Sequence, residues 1–299
     1  MIRSTRKSTV RLLAALSGAV TLCALAIVVP NQAEAVVTCT APAATTVLSG
    51  SNFEIDANGN LKVDGSTPCI DWLTAGADSA IRSGVVVRND KPSGATDDSF
   101  GQGTAENDIN PTIVDGSIPP NKSDLKTFGV YSEDTTSPKY LELFWQRVNN
   151  PSGTTNMDFE LNQKFCDPTA TVTNCANNGT GTTPETPLRT PGDKLITYDL
   201  ANGGTSPVIS IRTWLAAAGK TAAQWGAATA VSSSDSAGAV NTSTIPANLS
   251  GGLSLDANGV SPYTFGEAAI SYSALFASGS TNCRTFGGAY LKSRASDSF

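Results

Sequence analysis

Two neighbouring segments of this chain, residues 139–148 and 154–163, are rich in apolar residues. In the second segment an apolar side chain recurs at every second position, at Met157, Phe159 and Leu161, which is the period of a β-strand with one packed face and one polar face. The sequence Asn-Asn-Pro-Ser-Gly at 149–153 has the composition of a turn between them. We therefore predict two antiparallel strands that pair with each other.

Shorter apolar runs, separated by turn residues, predict more strands on both sides of this pair. Residues 52–56 and 61–63 flank Asn58-Gly59, the signature of a hairpin. Other predicted elements are strands at 84–88, 194–200, 208–214 and 285–291, a polar loop at 89–124, a helical turn within 213–230, a loop at 232–252 and a partly helical segment at 267–276. Many short strands with little helix predict an all-β fold, an antiparallel β-sandwich of the jelly-roll or lectin-like kind with long loops.

The first 35 residues have the pattern of a secretory signal peptide. Four basic residues precede a mostly apolar run at 12–29, and Ala33-Glu34-Ala35 supplies the small residues that a signal peptidase requires. Ser17, Gly18 and Thr21 dilute the apolar run, which favours a cleaved signal over a membrane anchor. We predict a signal peptide at 1–35 and a secreted β-sandwich domain at 36–299, extracellular or cell-wall-associated, with no membrane span after cleavage.

Composition removes several classes of chemistry. The chain contains no histidine, which excludes Ser-His-Asp and Cys-His catalysis and the usual zinc sites. The signal segment carries four basic residues and one acid, so 16 basic and 25 acidic residues remain and the mature chain has a net charge near −9. This acidity argues against nucleic acid and against anionic membranes as partners, and it is compatible with calcium.

Five cysteines remain in the mature chain, and a secreted protein is expected to pair them. Cys166 and Cys175 flank a short polar loop and are the first predicted disulfide, and Cys39 with Cys69 is the second. Cys283 is then left over. Either it is a buried free thiol, or its partner lies beyond Phe299 and the chain is an N-terminal fragment of a larger surface protein.

The polar stretch at 89–124 is rich in carboxylates and glycines. Asp97, Asp98, Glu106 and Asp108 offer the oxygen ligands that Ca²⁺ takes in sets of six to eight. We predict a stabilising calcium site there. The alternative is a solvated acidic loop whose side chains only cap turns.

Asn156, Asp158 and Glu160 stand at alternate positions of a predicted strand, so all three should point to one face. Retaining glycosidases of the jelly-roll type carry Glu-x-Asp-x-Glu in this arrangement, but Asn156 occupies the position of the nucleophile. We predict a ligand surface at these three residues, with Trp145 as a stacking platform for sugar. The alternative is a carbohydrate-active enzyme that uses Asp158 and Glu160.

A Lys–Asn isopeptide cross-link is a further possible chemistry for a secreted β domain. It needs a carboxylate between the two reacting side chains, with burial raising the pKa of that carboxylate so that it carries a proton. Glu160 or Glu267 would serve as the carboxylate, and Lys62, Lys139 or Lys194 as the amine.

Several phrases carry a family resemblance: Phe53-Glu54-Ile55-Asp56, Asp97-Asp98-Ser99-Phe100-Gly101, the run from Val114 to Leu125, the run from Pro151 to Glu160, Gly192-Asp193 through Leu200, and Ala289 through Arg294. With these phrases the chain resembles a module of secreted and cell-surface proteins of actinobacteria and related Gram-positive bacteria. The resemblance spans nearly all of the mature chain and implies an N-terminal region of a larger surface protein. It brings no catalytic residues.

Together these patterns predict a secreted, cell-surface-associated, non-enzymatic module for adhesion, binding or surface structure, with extracellular polysaccharide or a surface protein as partner. Two alternatives stay open: the enzyme using Asp158 and Glu160, and a subunit of an extracellular fibre that self-assembles through Cys283 or through an unpaired strand edge.

Overall fold

A computed structural model describes residues 20–21, 48–55, 61–63, 70–74, 81–90, 94, 98–100, 105–109, 111–115, 124–134, 136, 138–150, 155–167, 169–171, 174–176, 186–200, 207–219, 221–250, 258–276 and 285–294. Most of the predicted signal segment, Asp97, the predicted Cys39–Cys69 pair and Cys283 lie outside these residues.

Short β-strands make up nearly all of the regular structure. The strands are β1 Val20–Thr21, β2 Val86–Asn89, β3 Asp98–Phe100, β4 Ile113–Asp115, β5 Leu125–Glu133, β6 Tyr140–Arg147, β7 Thr155–Asn162, β8 Lys194–Leu200, β9 Val208–Leu215, β10 Gln224–Trp225, β11 Thr229–Ala230, β12 Ser236–Val240, β13 Phe265–Ser271, β14 Thr285–Phe286 and β15 Gly288–Arg294. The helical elements are one 3₁₀ turn, Ala247–Leu249, and one α-helix, α1, Tyr272–Leu275.

Two antiparallel sheets form the sandwich. The five-stranded sheet has the order β12-β13-β6-β5-β2, and the six-stranded sheet has the order β10-β9-β8-β7-β15 with β11 also paired to β9. β1 pairs with β14 and β3 pairs with β4 as two small ribbons. The prediction of an all-β antiparallel sandwich with little helix is confirmed.

The core lies between the sheets and follows the alternation in the sequence. Met157, Phe159 and Leu161 of β7 are at most 1% exposed and share one hydrophobic cluster with Leu143 and Trp145 of β6. Full burial of a side chain of this size stabilises the fold by roughly 1.5–3 kcal/mol. Because Trp145 leans over its cross-strand partner, Gly266, a Cβ added there would approach the indole Cζ2 to 2.3 Å. Only glycine fits at that position.

The predicted pairing of β6 with β7 is wrong. β6 pairs with β5 and β13, whereas β7 pairs with β8 and β15 in the other sheet. The chain crosses from one sheet to the other between them, and the two apolar faces meet across the core. Alternation shows which face of a strand is packed, but neighbours within a sheet and partners across a core produce the same pattern.

The other predicted elements agree with the structure in part. Strands at 84–88, 194–200 and 208–214 are confirmed within one or two residues, and 267–276 is partly helical as predicted. The predicted strand at 285–291 is divided into β14 and β15, and β15 continues to Arg294. Phe53 bridges Ile70 in parallel rather than forming a hairpin with 61–63, because Leu61 instead accepts a bond from the Leu73 amide. The stretch 89–124 contains β3 and β4, the segment 232–252 contains β12, and 213–230 contains β10 and β11 where a helical turn was predicted.

Both sheets are covered on the face that points away from the core. Residues 48–55, 61–63 and 70–74, which we call the N-terminal cover, pack on the five-stranded sheet with Trp72 edge-on to Phe144 at 4.7 Å. Residues 105–109 and 186–193, which we call the charged cover, contact the outer face of the six-stranded sheet. No helix within the described part of the chain is long and apolar enough to cross a membrane.

Candidate functional site

The outer face of the six-stranded sheet is polar, as the alternation in β7 predicts. Asn156, Asp158 and Glu160 point to this face together, away from the core residues between them. Their cross-strand partners on β15 are, in order, Arg294, Lys292 and Tyr290. Antiparallel register therefore places cations beside the acids. We call this surface the outer polar face.

Glu160 is held by Arg189 of the charged cover. The guanidinium Nε donates to Oε1 at 2.9 Å and Nη2 donates to Oε2 at 2.8 Å, in the two-pronged geometry that suits arginine and carboxylate. Asn162 Nδ2 donates to Oε1 at 2.7 Å as well. Both carboxylate oxygens are therefore occupied, with only 8% of the Glu160 side chain exposed.

Arg189 also connects the cover to two tryptophans. Its Nη1 donates to the carbonyls of Glu106 and Asp108 at 2.8 and 2.7 Å. The guanidinium lies 4.9 Å from the ring of Trp214 and 5.1 Å from that of Trp225. Burial lowers the pKa of Arg189, but the charge of Glu160 and the hydrogen bond to it raise the pKa above its ordinary value, so the cation is retained.

Asp158 lies deeper in the same face and is bound by Arg294. Nη2 of Arg294 donates to Oδ1 at 3.1 Å, and Nε donates to Oδ2. Burial raises the pKa of Asp158 to about 7, the bond from Arg294 opposes the rise, and the charge of Glu106 adds to it.

The predicted calcium ligands have other contacts in the described part of the chain. Glu106 accepts Lys292 Nζ at 2.8 Å, and Asp108 Oδ2 caps a turn by accepting the Ala105 amide at 2.8 Å. Asp98 lies in β3, opposite Asp115. No three acidic, cysteine or histidine side chains converge as a metal site among the described residues. A Lys292–Glu106 ion pair stands where a calcium ligand was predicted.

Residues predicted to bind a ligand are buried. Asn156, Asp158 and Glu160 are 1%, 0% and 6% exposed, and Trp145 is 1% exposed within the core. Arg189 and Arg294 fill the space that a sugar would need in front of Asp158 and Glu160. A ligand would reach these residues only after the charged cover had separated from the sheet.

Side chains named for an isopeptide bond also have other partners. Lys194 Nζ donates to Thr213 Oγ1 at 2.8 Å, and Glu267 accepts the indole N–H of Trp72 at 2.8 Å. Glu160 is bound by Arg189, as described above.

The predicted disulfide Cys166–Cys175 is present, with a sulfur–sulfur distance of 2.00 Å. It follows β7 and fixes residues 174–176, which pair with 186–188 through Ala176 N to Thr186 O and Leu188 N to Asn174 O, both 2.8 Å. Arg189 comes next in the chain. The disulfide thus helps to position the arginine that binds Glu160.

An open groove is lined by β9, by residues 226–235 and by α1. Its volume is about 590 Å³, and we call it the end groove. Its apolar lining includes Ile211, Leu215 and Leu275, and its polar lining includes Lys194, Thr213 and Asp235. Leu215 is 47% exposed. This site was not predicted from the sequence, although the run of serines before Asp235 indicates a carboxylate that is held by hydrogen bonds.

Four serines surround Asp235. Ser232 Oγ donates to Oδ2 and Ser271 Oγ donates to Oδ1, both at 2.8 Å, with Ser234 and Ser273 at 3.5 Å. These hydrogen bonds, from Ser232 first and then Ser271, lower the pKa of Asp235. The end groove therefore presents an ionised and oriented carboxylate to solvent.

No family model, curated protein or solved structure matches this chain.

Proposed function

We propose that this protein is a secreted, cell-surface-associated, non-enzymatic binding module whose ligand surface is the end groove. The observation that carries the proposal is the contrast between the two acidic sites. Asp158 and Glu160 are engaged by arginines beneath a cover, whereas Asp235 is ordered, ionised and open to solvent. Secretion rests on the basic, apolar and small-residue pattern of residues 1–35.

Extracellular polysaccharide is the ligand class that suits the groove. A carboxylate accepts hydrogen bonds from sugar hydroxyls, and Thr213 can donate or accept. Leu215, which is 47% exposed, offers apolar surface for the C–H face of a sugar ring. A concave site with a few placed polar groups on an apolar lining is the usual form of a small-ligand site.

Affinity electrophoresis through gels containing a neutral glucan, a galactan or an acidic uronan tests this proposal. We expect retardation of the wild-type protein in at least one gel, and loss of most of it in Asp235→Asn and in Leu215→Ser. Asp134→Asn is the matched control, because Asp134 is an exposed acid of the same charge outside the groove lining.

Val208→Ser is the second control. Val208 and Leu215 are the exposed apolar residues at the two ends of β9, and Val208 has the opposite strand parity. Equal retardation of Leu215→Ser and Val208→Ser would place the ligand elsewhere. No retardation of the wild type in any of the three gels would contradict polysaccharide as the ligand class.

The two alternative functions have less support. An enzyme using Asp158 and Glu160 would have to displace Arg294 and Arg189 from both carboxylates. Cys283, through which a fibre subunit would self-assemble, lies outside the described residues.

A further inference from the structure

Three glutamates on the outer face of the five-stranded sheet meet the N-terminal cover, and we call them the acidic cluster: Glu133, Glu142 and Glu267. Glu133 accepts Ser51 Oγ at 2.7 Å through Oε2 and the Asn52 amide at 2.7 Å through Oε1. Glu267 accepts the indole N–H of Trp72 at 2.8 Å. The sheet thus holds both ends of the cover through carboxyl groups.

Glu142 differs from the other two because its carboxyl group has no hydrogen-bond partner among the described residues. The residue is 0% exposed, and within the described part of the chain neither Oε1 nor Oε2 has a donor. Its cross-strand neighbours are Tyr131 on β5 and Ala269 on β13. A buried carboxylate without a cation or hydrogen-bond donor is strongly unfavourable, so the neutral acid is the form that this environment accepts.

Among the described residues, the two charged groups that act on the pKa of Glu142 are both acids. The charges of Glu133 and Glu267 add to the effect of burial, and together they hold the pKa of Glu142 well above its ordinary value of 4.5. Burial also raises the pKa of Glu133, although Ser51, Asn52 and the charge of Arg82 oppose the rise.

Tyrosines and the cover's own ionisable residues complete these surroundings. Burial raises the pKa of Tyr140 to about 12, and the charges of Glu133, Glu142 and Asp235 add to it. Burial also raises the pKa of Tyr272, and the charge of Glu142 adds to this rise. Within the described cover the ionisable residues are Glu54, Lys62 and Asp71, of which Glu54 and Asp71 are buried acids. Acids therefore predominate in this layer.

We propose that the acidic cluster makes the attachment of the N-terminal cover depend on protons, so that the cover is closed in mild acid and opens as the pH rises. Opening would expose the apolar outer face of the five-stranded sheet, which carries Phe144 and Phe265. Opening of the cover requires neither the end groove nor a ligand.

The sign follows from the direction of the pKa change. A carboxyl group whose pKa is higher in the folded protein than in the unfolded chain gives its full stabilisation below the ordinary value of 4.5. That stabilisation is lost progressively as the pH rises from there toward the folded pKa. Glu142 and Glu133 act in the same direction. The cover should therefore be held less firmly at mildly alkaline pH than at mildly acidic pH.

Hydrogen–deuterium exchange of peptides from residues 48–55 and 70–74, corrected for the intrinsic pH dependence of exchange, tests this at about pH 5 and about pH 8. In the wild type we expect protection to fall about tenfold or more between the two conditions. Glu142→Gln should remove most of that fall, because the side chain stays neutral. Glu142→Met provides the same neutrality without a buried amide, should the glutamine variant fold poorly.

Local measurement is necessary because Asp158, on the other sheet, also has a raised pKa. Asp199→Asn, which removes a 40% exposed acid from the other sheet, is the control and should leave the pH dependence unchanged. An unchanged pH response of residues 48–55 and 70–74 in both Glu142 variants would overturn the proposal. So would a wild-type cover that is equally protected at both pH values.

Discussion

The two covered faces of this sandwich bury polar residues in opposite ways. On the outer polar face three buried acids each contact a cation: Glu160 contacts Arg189, Asp158 contacts Arg294 and Glu106 contacts Lys292. Under the N-terminal cover, Trp72 packs on the rings of Phe53 and Phe144, and Glu142 is buried in this layer with no hydrogen-bond donor among the described residues. One face is held by paired charges and the other by apolar packing around acids.

This difference determines which kind of substitution should destabilise each face. A buried ion pair adds little net stability over an apolar pair of the same shape, yet removal of one member leaves an uncompensated charge. Apolar packing responds instead to lost volume, through the transfer free energy and the cavity left behind. The N-terminal cover should thus be sensitive to truncation and to alkaline pH, and the outer polar face to the loss of one charge.

Truncation of Trp72 should give the largest effect. The indole is 0% exposed, lies 4.7 Å from the rings of both Phe53 and Phe144, and donates to Glu267. We expect Trp72→Ala to lower the free energy of unfolding by about 4–5 kcal/mol, measured by chemical denaturation. Trp72→Phe keeps much of the volume and should cost about half as much. Equal costs for both variants would mean that the hydrogen bond, and not packing, holds the cover.

Removal of Arg189 should give the next largest loss of stability. This loss should come from an unpaired charge and not from lost volume. We expect Arg189→Met to cost about 3–4 kcal/mol, because Glu160 and the carbonyls of Glu106 and Asp108 lose their donor. The double variant Arg189→Met with Glu160→Leu should recover much of this loss, since no charge is then left unpaired. Additive costs in the double variant, measured by the same denaturation, would contradict the description of the face as a set of matched pairs.

Loss of the Cys166–Cys175 disulfide should reduce stability less, and it should loosen the charged cover but not the N-terminal cover. The bridge closes a loop with a sequence separation of 9, for which chain entropy gives about 2–3 kcal/mol. In Cys166→Ser with Cys175→Ser, hydrogen exchange should increase in 186–193 and leave 48–55 unchanged. Equal loosening of both covers would mean that they unfold as one unit.

Strand alternation in the sequence predicted the composition of the outer polar face but not its burial. Asn156, Asp158 and Glu160 were placed on one face correctly from their spacing. Arg189 reaches Glu160 from 29 positions along the chain. No local pattern in Leu188-Arg189-Thr190 indicates that contact, because it depends on the disulfide-linked segment and on the register of β7.

The sequence does indicate, by contrast, that both faces of β6 are buried. Leu141, Leu143 and Trp145 share one parity, which marks Trp145 as a core residue and not as a stacking platform. Tyr140 and Phe144 have the other parity and are buried too. A nearly continuous apolar run indicates a strand covered on both faces. The position of Glu142 within that run was the sequence signal for a carboxyl group in an apolar layer.

Substitution of Asp199 should give the smallest effect and thereby separate buried charge pairs from exposed ones. Asp199 lies 3.6 Å from Arg294 at the rim of the outer polar face, and its side chain is 40% exposed. Solvent screens such a pair, so we expect Asp199→Asn to change the free energy of unfolding by about 0.5 kcal/mol or less. Asp158→Asn, which removes a fully buried acid from the same arginine, should cost several times as much in the same denaturation experiment. Comparable costs for the two variants would show that pairing with Arg294, and not depth in the protein, determines what each acid contributes to this face.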